Sequence, residues 1–240
     1  MSEKLGRIEK PQVSDYTSTR KLYFIPLANT WPQAPADYTE RFENYWEQVV
    51  EQLNGLELKL GTTKKVYHEF VTAGGEEGVK MVDQLNPKST QIIRERMKQG
   101  AFLELIEDEA ALCEFMDWSR CLSIDLQSEP VFKTIYEAYN EVNRKRNEHV
   151  ARRIDETLGT EEAGMLFMRE GHQVQFPPDI QIIYVAPPAL DELKRWLRDQ
   201  EAMLKGTAKE SKADEKSEVA DKTEATEEPK ATKKPGKKAG

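Results

Sequence analysis

Two of the chain's three histidines, His68, His149 and His172, fall where a site can form. His68 stands beside Glu69 in KVYHEFV (65–71), an alternating run that reads as a strand. Val66, His68 and Phe70 then share one face and Tyr67, Glu69 and Val71 the other, so a sheet covered on both sides carries a titratable group on each face near the strand's end. His172 follows Gly171 just beyond GMLFM (164–168), a continuous apolar run. Ligands of open α/β sheets gather outside the carboxyl ends of parallel strands, so His68, Glu69 and His172 converge if these strands run parallel. A histidine with a carboxylate suits general-base work or metal ligation. The competing reading is a set of hydrogen-bonded structural histidines.

A helix of about 130–158 supplies the second group. At 100° per residue, Phe132, Tyr139, Val150 and Ile154 share an arc with Asn143 and Arg146, and Asn147 lies at its margin. An unpaired buried charge is costly, so Arg146 needs a partner. That partner is either the anionic group of a substrate, with Asn143 beside it, or a carboxylate of the chain such as Glu69 or Asp179. His149 lies opposite the stripe and reads as a solvated residue.

Familiar motifs give no further chemistry. No GxGxxG, GxxxxGK[ST], GxSxG or HExxH occurs. The nearest approach to a phosphate loop is TAGGEEG (72–78), but Glu76 and Glu77 would repel a phosphate, and it reads as a strand-to-helix turn. Cys113 and Cys121 lack CxxC spacing and read as buried structural thiols. These motifs leave the cofactor unknown, and no metal ligand set is assigned.

The elements that must hold these residues alternate between strand-like and helix-like periods. Lys21–Pro26 opens as a strand. Asp37 and Glu40 form a capping-box-like helix start, Tyr38 to Leu53 recur at helical spacing, and Gly55 supplies the stop. KVYHEFV is the second strand. A helix to about Leu85 follows the glycine turn, with further helical segments at about 88–98 and 102–117. GMLFM and IQIIYV (180–185) are strands, and Pro187–Pro188 introduce a last amphipathic helix. The fold class is therefore α/β, a single domain with a largely parallel sheet flanked by helices.

Composition sets the limits of that domain. The 240 residues carry 35 Lys+Arg against 43 Asp+Glu, a net charge of −8 that argues against a whole-chain nucleic-acid binder. Residues 1–20 read as a flexible segment, 21–204 as the α/β domain, and 205–240 as a disordered Lys/Glu/Ala-rich tail. The last twelve residues (PKATKKPGKKAG) hold five Lys and no acid, a candidate weak contact for RNA or an acidic partner. No run of 18 apolar residues suggests a membrane span, and the first twenty residues hold no apolar block of a secretory signal, so a cytoplasmic location is expected.

KLYFIPLANT, followed by a long helix and KVYHEFV, resembles the opening of the TraB/ChaN-type superfamily. RKRNEHVARRIDETL with AGMLFMREGH is similar to that group's closing pattern of an Arg-containing helix, a turn, an apolar strand and a Gly-His pair. On this matching, Glu69, Arg146 and Gly171–His172 occupy family-like positions, while Pro26 and Asn29 stand where the family has Gly and His. The resemblance implies an α/β fold and an inherited pocket.

Two functions compete. One is a non-catalytic interaction protein whose body recognises an unknown protein partner; the departure at Asn29, the acidic turn and the charged tail favour it. The other is a metal-assisted, hydrolase-like enzyme acting on an anionic or peptide-like substrate. In it, Glu69 is base or ligand, His68 and His172 are ligands or proton carriers, and Arg146 is the anion clamp.

Overall fold

A computed structural model describes residues 20–203. The expectations for residues 1–19 and for the tail from 204 onward lie outside the described residues.

Five strands form one sheet: β1 (Arg20–Pro26), β2 (Thr63–His68), β3 (Phe102–Leu103), β4 (Ala163–Met168) and β5 (Ile180–Tyr184). Their spatial order is β3-β2-β4-β1-β5 and every pair is parallel. The connecting helices are α1 (Ala36–Leu60), α2 (Gly75–Leu85), α3 (Pro87–Lys98), α4 (Glu109–Ser123) and α5 (Glu129–Thr157). The chain divides into two compact units between Asp191 and Glu192, inside a last helix, α6 (188–203); the sheet belongs wholly to the first.

β4 is buried at all six positions, which explains its unbroken apolar sequence: it lies between β2 and β1 with both faces covered. On one face, Leu22, Phe24, Tyr67, Leu166 and Met168 pack with Val150 and Ile154 of α5. On the other, Phe167 meets Trp46 of α1, and His68 meets Ser89 of α3. The chain thus leaves β1 and β2 toward one face, while the segment after β4 returns Val174 and Phe176 to the opposite face. Such a divergence of exits opens a crevice at the carboxyl ends of the strands.

Several local expectations are corrected. Gly55 does not stop α1: the helix runs on to Leu60, and a Cβ at position 55 would meet no other part of the described chain within 4 Å. The stop is Gly61, at φ +118°, a conformation that suits glycine alone. Pro35 occupies the N-cap of α1 without a side-chain cap, so the Asp37/Glu40 capping box does not form. The expected helix at 102–117 starts later. Phe102 and Leu103 pair with Lys65 and Val66 as a strand, and Asp108 then caps α4 by accepting from the Ala111 amide (2.9 Å). Cys113 is exposed and Cys121 half-buried, so neither is a core thiol. Phe132 is exposed too: the buried stripe of α5 begins only at Val142.

Candidate functional site

Strand alternation sends His68 and Glu69, at the carboxyl end of β2, to opposite faces of the sheet. Glu69 is completely buried, and its carboxylate is held by two hydrogen bonds and a further ion-pair contact. Oε1 accepts from Arg146 Nη2 (3.1 Å) and lies 3.2 Å from Arg169 Nε, while Oε2 accepts from the Arg169 backbone amide (2.9 Å). A second buried carboxylate, Glu107, comes from the loop between β3 and α4. It takes Arg146 Nε on Oε2 (2.9 Å), and on Oε1 both Arg146 Nη2 and the Phe70 amide (3.1 Å). Two buried carboxylates are thus balanced by two guanidinia, Arg146 buried with them and Arg169 at the solvent side, the pairing under which buried charge is tolerated. Burial opposes the charge of Arg146, but the hydrogen bond and field of Glu107, joined by those of Glu69, outweigh it and raise its pKa above the ordinary arginine value.

Phe70 completes the cluster. Its φ is +67°, a left-handed conformation that costs an aromatic residue roughly 1–3 kcal/mol. The turn points its amide at Glu107 and its ring at both arginines. The guanidinium carbon of Arg146 lies 5.1 Å from the Phe70 ring and 4.8 Å from that of Phe115, and that of Arg169 lies 5.9 and 5.1 Å from the same rings. Cation–π attraction, strongest for desolvated cations, offsets the strain.

His68 belongs to the other face and is 1% exposed. Its Nδ1 donates to the Glu69 carbonyl (2.7 Å), which leaves Nε2 as an acceptor 3.1 Å from Ser89 Oγ, whose one proton it shares with the Asn86 carbonyl (2.9 Å). Burial pushes its pKa down to about 4, the Glu69 carbonyl opposing, so the ring is neutral at ordinary pH. His172 lies beyond β4 against Phe24 and Phe176, at centroid distances of 4.9 and 5.7 Å, and its Nδ1 accepts from the Val174 amide (3.2 Å). Burial lowers its pKa, helped by the field of Arg169. Asn143 is buried on α5, its Oδ1 lacking a hydrogen-bond partner among the described residues. Asp179 pairs with Arg20 (2.8 Å), so the carboxylates that meet Arg146 are Glu69 and Glu107.

A pocket of about 550 Å³ opens at the ends of β1, β2 and β4. Leu27 and Asn29 enter it from the segment after β1, His68 from the end of β2 with Glu69 and Phe70 just beyond, and Arg169 from just after β4, while Leu112 and Met116 of α4 close another side. The structure thus brings Glu69, Arg146 and His68 around one place, Arg146 behind the wall rather than in it. His172 and Asn143 do not line it. Among the described residues no group of three or more His, Cys, Asp or Glu is arranged to hold a metal ion.

Sequence reasoning missed Glu107, Phe70 and Arg169. Glu107 lay inside an expected helix, and nothing in a phenylalanine announces a positive φ. Arg169 had a signal, because it directly follows the strand whose carboxyl end was already suspect. No family model, curated protein or solved structure matches the chain.

Proposed function

We propose that this chain is a non-catalytic interaction protein that holds a ligand or partner group in the pocket at the carboxyl end of its sheet. The observation that carries this reading is the engagement of the would-be catalytic groups. Both Glu69 oxygens are taken up by arginine donors, Arg146 is turned to two carboxylates of the chain, and both His68 nitrogens are bonded inside the core. What faces the pocket otherwise is mostly apolar, as in binding sites with few orienting polar groups. The pocket is read as the one that the TraB/ChaN-type resemblance implies. The metal-assisted hydrolase has less support, since its proposed base and clamp neutralise each other. A cytoplasmic location and an auxiliary contact of the Lys-rich tail with RNA or an acidic partner belong to the same proposal. For location, the support is that no helix among the described residues is long and apolar enough to cross a membrane.

The test is uptake of N-phenyl-1-naphthylamine, a neutral apolar fluorophore, by the full chain and by Met116→Glu. Met116 is 38% exposed, so the substitution charges the pocket wall without opening the core. Saturable uptake by the wild type, weakened at least about tenfold in the variant, is expected, since seating the apolar fluorophore would desolvate the new carboxylate. Equal uptake by both overturns the reading.

A further inference from the structure

The pocket's polar groups are not balanced between donors and acceptors. On the acceptor side, the Glu69 oxygens are occupied and Asn29 Oδ1 accepts from Asn86 Nδ2 (3.1 Å). On the donor side, Arg169 commits only its Nε and backbone amide to Glu69, and no hydrogen bond of its terminal Nη groups falls among the described residues. The same holds for the Asn29 amide nitrogen. Arg169 is 39% exposed along its side chain, held in place from behind by Glu69 and by the Phe70 and Phe115 rings. A guanidinium fixed in this way presents a fork of N–H groups that matches two oxygens on one carbon. Leu27, Leu85, Leu112 and Met116 supply the apolar remainder of the wall.

We propose that the pocket binds a small amphiphilic carboxylate, its two oxygens on Arg169 and Asn29 and its aliphatic body against the leucines and Met116. A carboxylate suits this site better than a phosphate monoester, because Arg169 alone faces the pocket, in a cluster whose two guanidinia are already balanced by two glutamates, and offers too little positive charge for a dianion. The inference rests on the binding reading above and adds the class of ligand to it.

The experiment displaces bound N-phenyl-1-naphthylamine from the full chain with decanoate, decyl phosphate, decan-1-ol or decylamine, in the wild type, Arg169→Gln, Arg169→Lys and Asn29→Ala. Decanoate is expected to displace the fluorophore at a concentration about tenfold below that of the alcohol, amine or phosphate, the order of effect of one charge-assisted pair. Arg169→Gln should weaken decanoate at least about tenfold more than it weakens the alcohol, Arg169→Lys should restore part of that difference, and Asn29→Ala should weaken decanoate more than the alcohol without removing the Arg169–Glu69 pair. Equal displacement by decanoate and decanol, or preference for decyl phosphate, overturns the carboxylate assignment while the pocket reading stands. Decanoate binding insensitive to all three variants overturns it too. Absence of fluorophore uptake by the wild type overturns the pocket reading itself, and the ligand class with it.

Discussion

Arg169 grips both oxygens of Glu69, its backbone amide on Oε2 at 2.9 Å and its Nε beside Oε1 at 3.2 Å. The residue that follows β4 thereby locks the residue that follows β2, and the parallel pairing of the two strands brings them together. Arg146 joins the same carboxylate from α5 and ties in Glu107.

Removing Arg146 should therefore unfold more than it disables. Arg146→Met leaves Glu107 buried without a guanidinium partner and Glu69 with Arg169 alone, and should cost about 3–5 kcal/mol, measured by urea unfolding. Arg146→Lys keeps the charge but loses the fork and should fall between wild type and Met. A loss below 1 kcal/mol for Arg146→Met contradicts the network.

His68 should make the protein acid-sensitive. Its pKa is about 4 in the folded chain against 6.5 for an ordinary histidine, so below 6.5 the unfolded chain takes up a proton that the folded chain refuses. The associated stability is fully present above pH 6.5, declines as pH falls and is lost by about pH 4, amounting to about 2 kcal/mol between pH 7 and pH 5. His172 shifts in the same direction, so the readout is the difference between wild type and His68→Asn. The variant should lose about 2 kcal/mol less than wild type over that interval; equal losses refute a buried neutral His68.

Phe70 separates backbone strain from ring contacts. Phe70→Ala loses both cation–π contacts and keeps a Cβ at φ +67°, whereas Phe70→Gly loses the contacts and relieves the strain. Both should destabilise, and Gly should be the more stable of the two by about 1 kcal/mol in urea unfolding. Ala equal to or better than Gly means that the left-handed turn is not there.

Two glycines should respond in opposite directions. A Cβ at Gly78 would stand 2.3 Å from the Ala73 carbonyl oxygen, so Gly78→Ala should destabilise by about 1–3 kcal/mol. Gly55 sits inside α1 with open space around it, and Gly55→Ala should stabilise by about 0.5–1 kcal/mol. Thermal unfolding of the pair checks both signs.

What could be read from the sequence follows from which forces act locally. β4 and α5 were legible because continuous apolar runs and helical periodicity report burial directly. So was the need of Arg146 for a partner, with Glu69 among those considered, because a charge inside an apolar arc demands one. The end of α1 was misplaced because glycine permits a stop without enforcing one, and tertiary packing carried the helix past Gly55 to Gly61. β3 was invisible as two residues, since its identity depends on pairing with Lys65 and Val66. Glu107 and the positive φ of Phe70 could not be read at all, because both depend on contacts made across the fold.

Under the proposed function, Glu69 is a structural carboxylate of the binding pocket and not a catalytic base. The most direct measurement is the urea unfolding free energy of Glu69→Gln against wild type. Gln removes the charge facing Arg146 and Arg169 and sets an amide nitrogen toward one of their donors, so a loss of about 2–4 kcal/mol is expected. Unchanged or increased stability, the behaviour of a carboxylate kept at a cost for chemistry, would contradict the account.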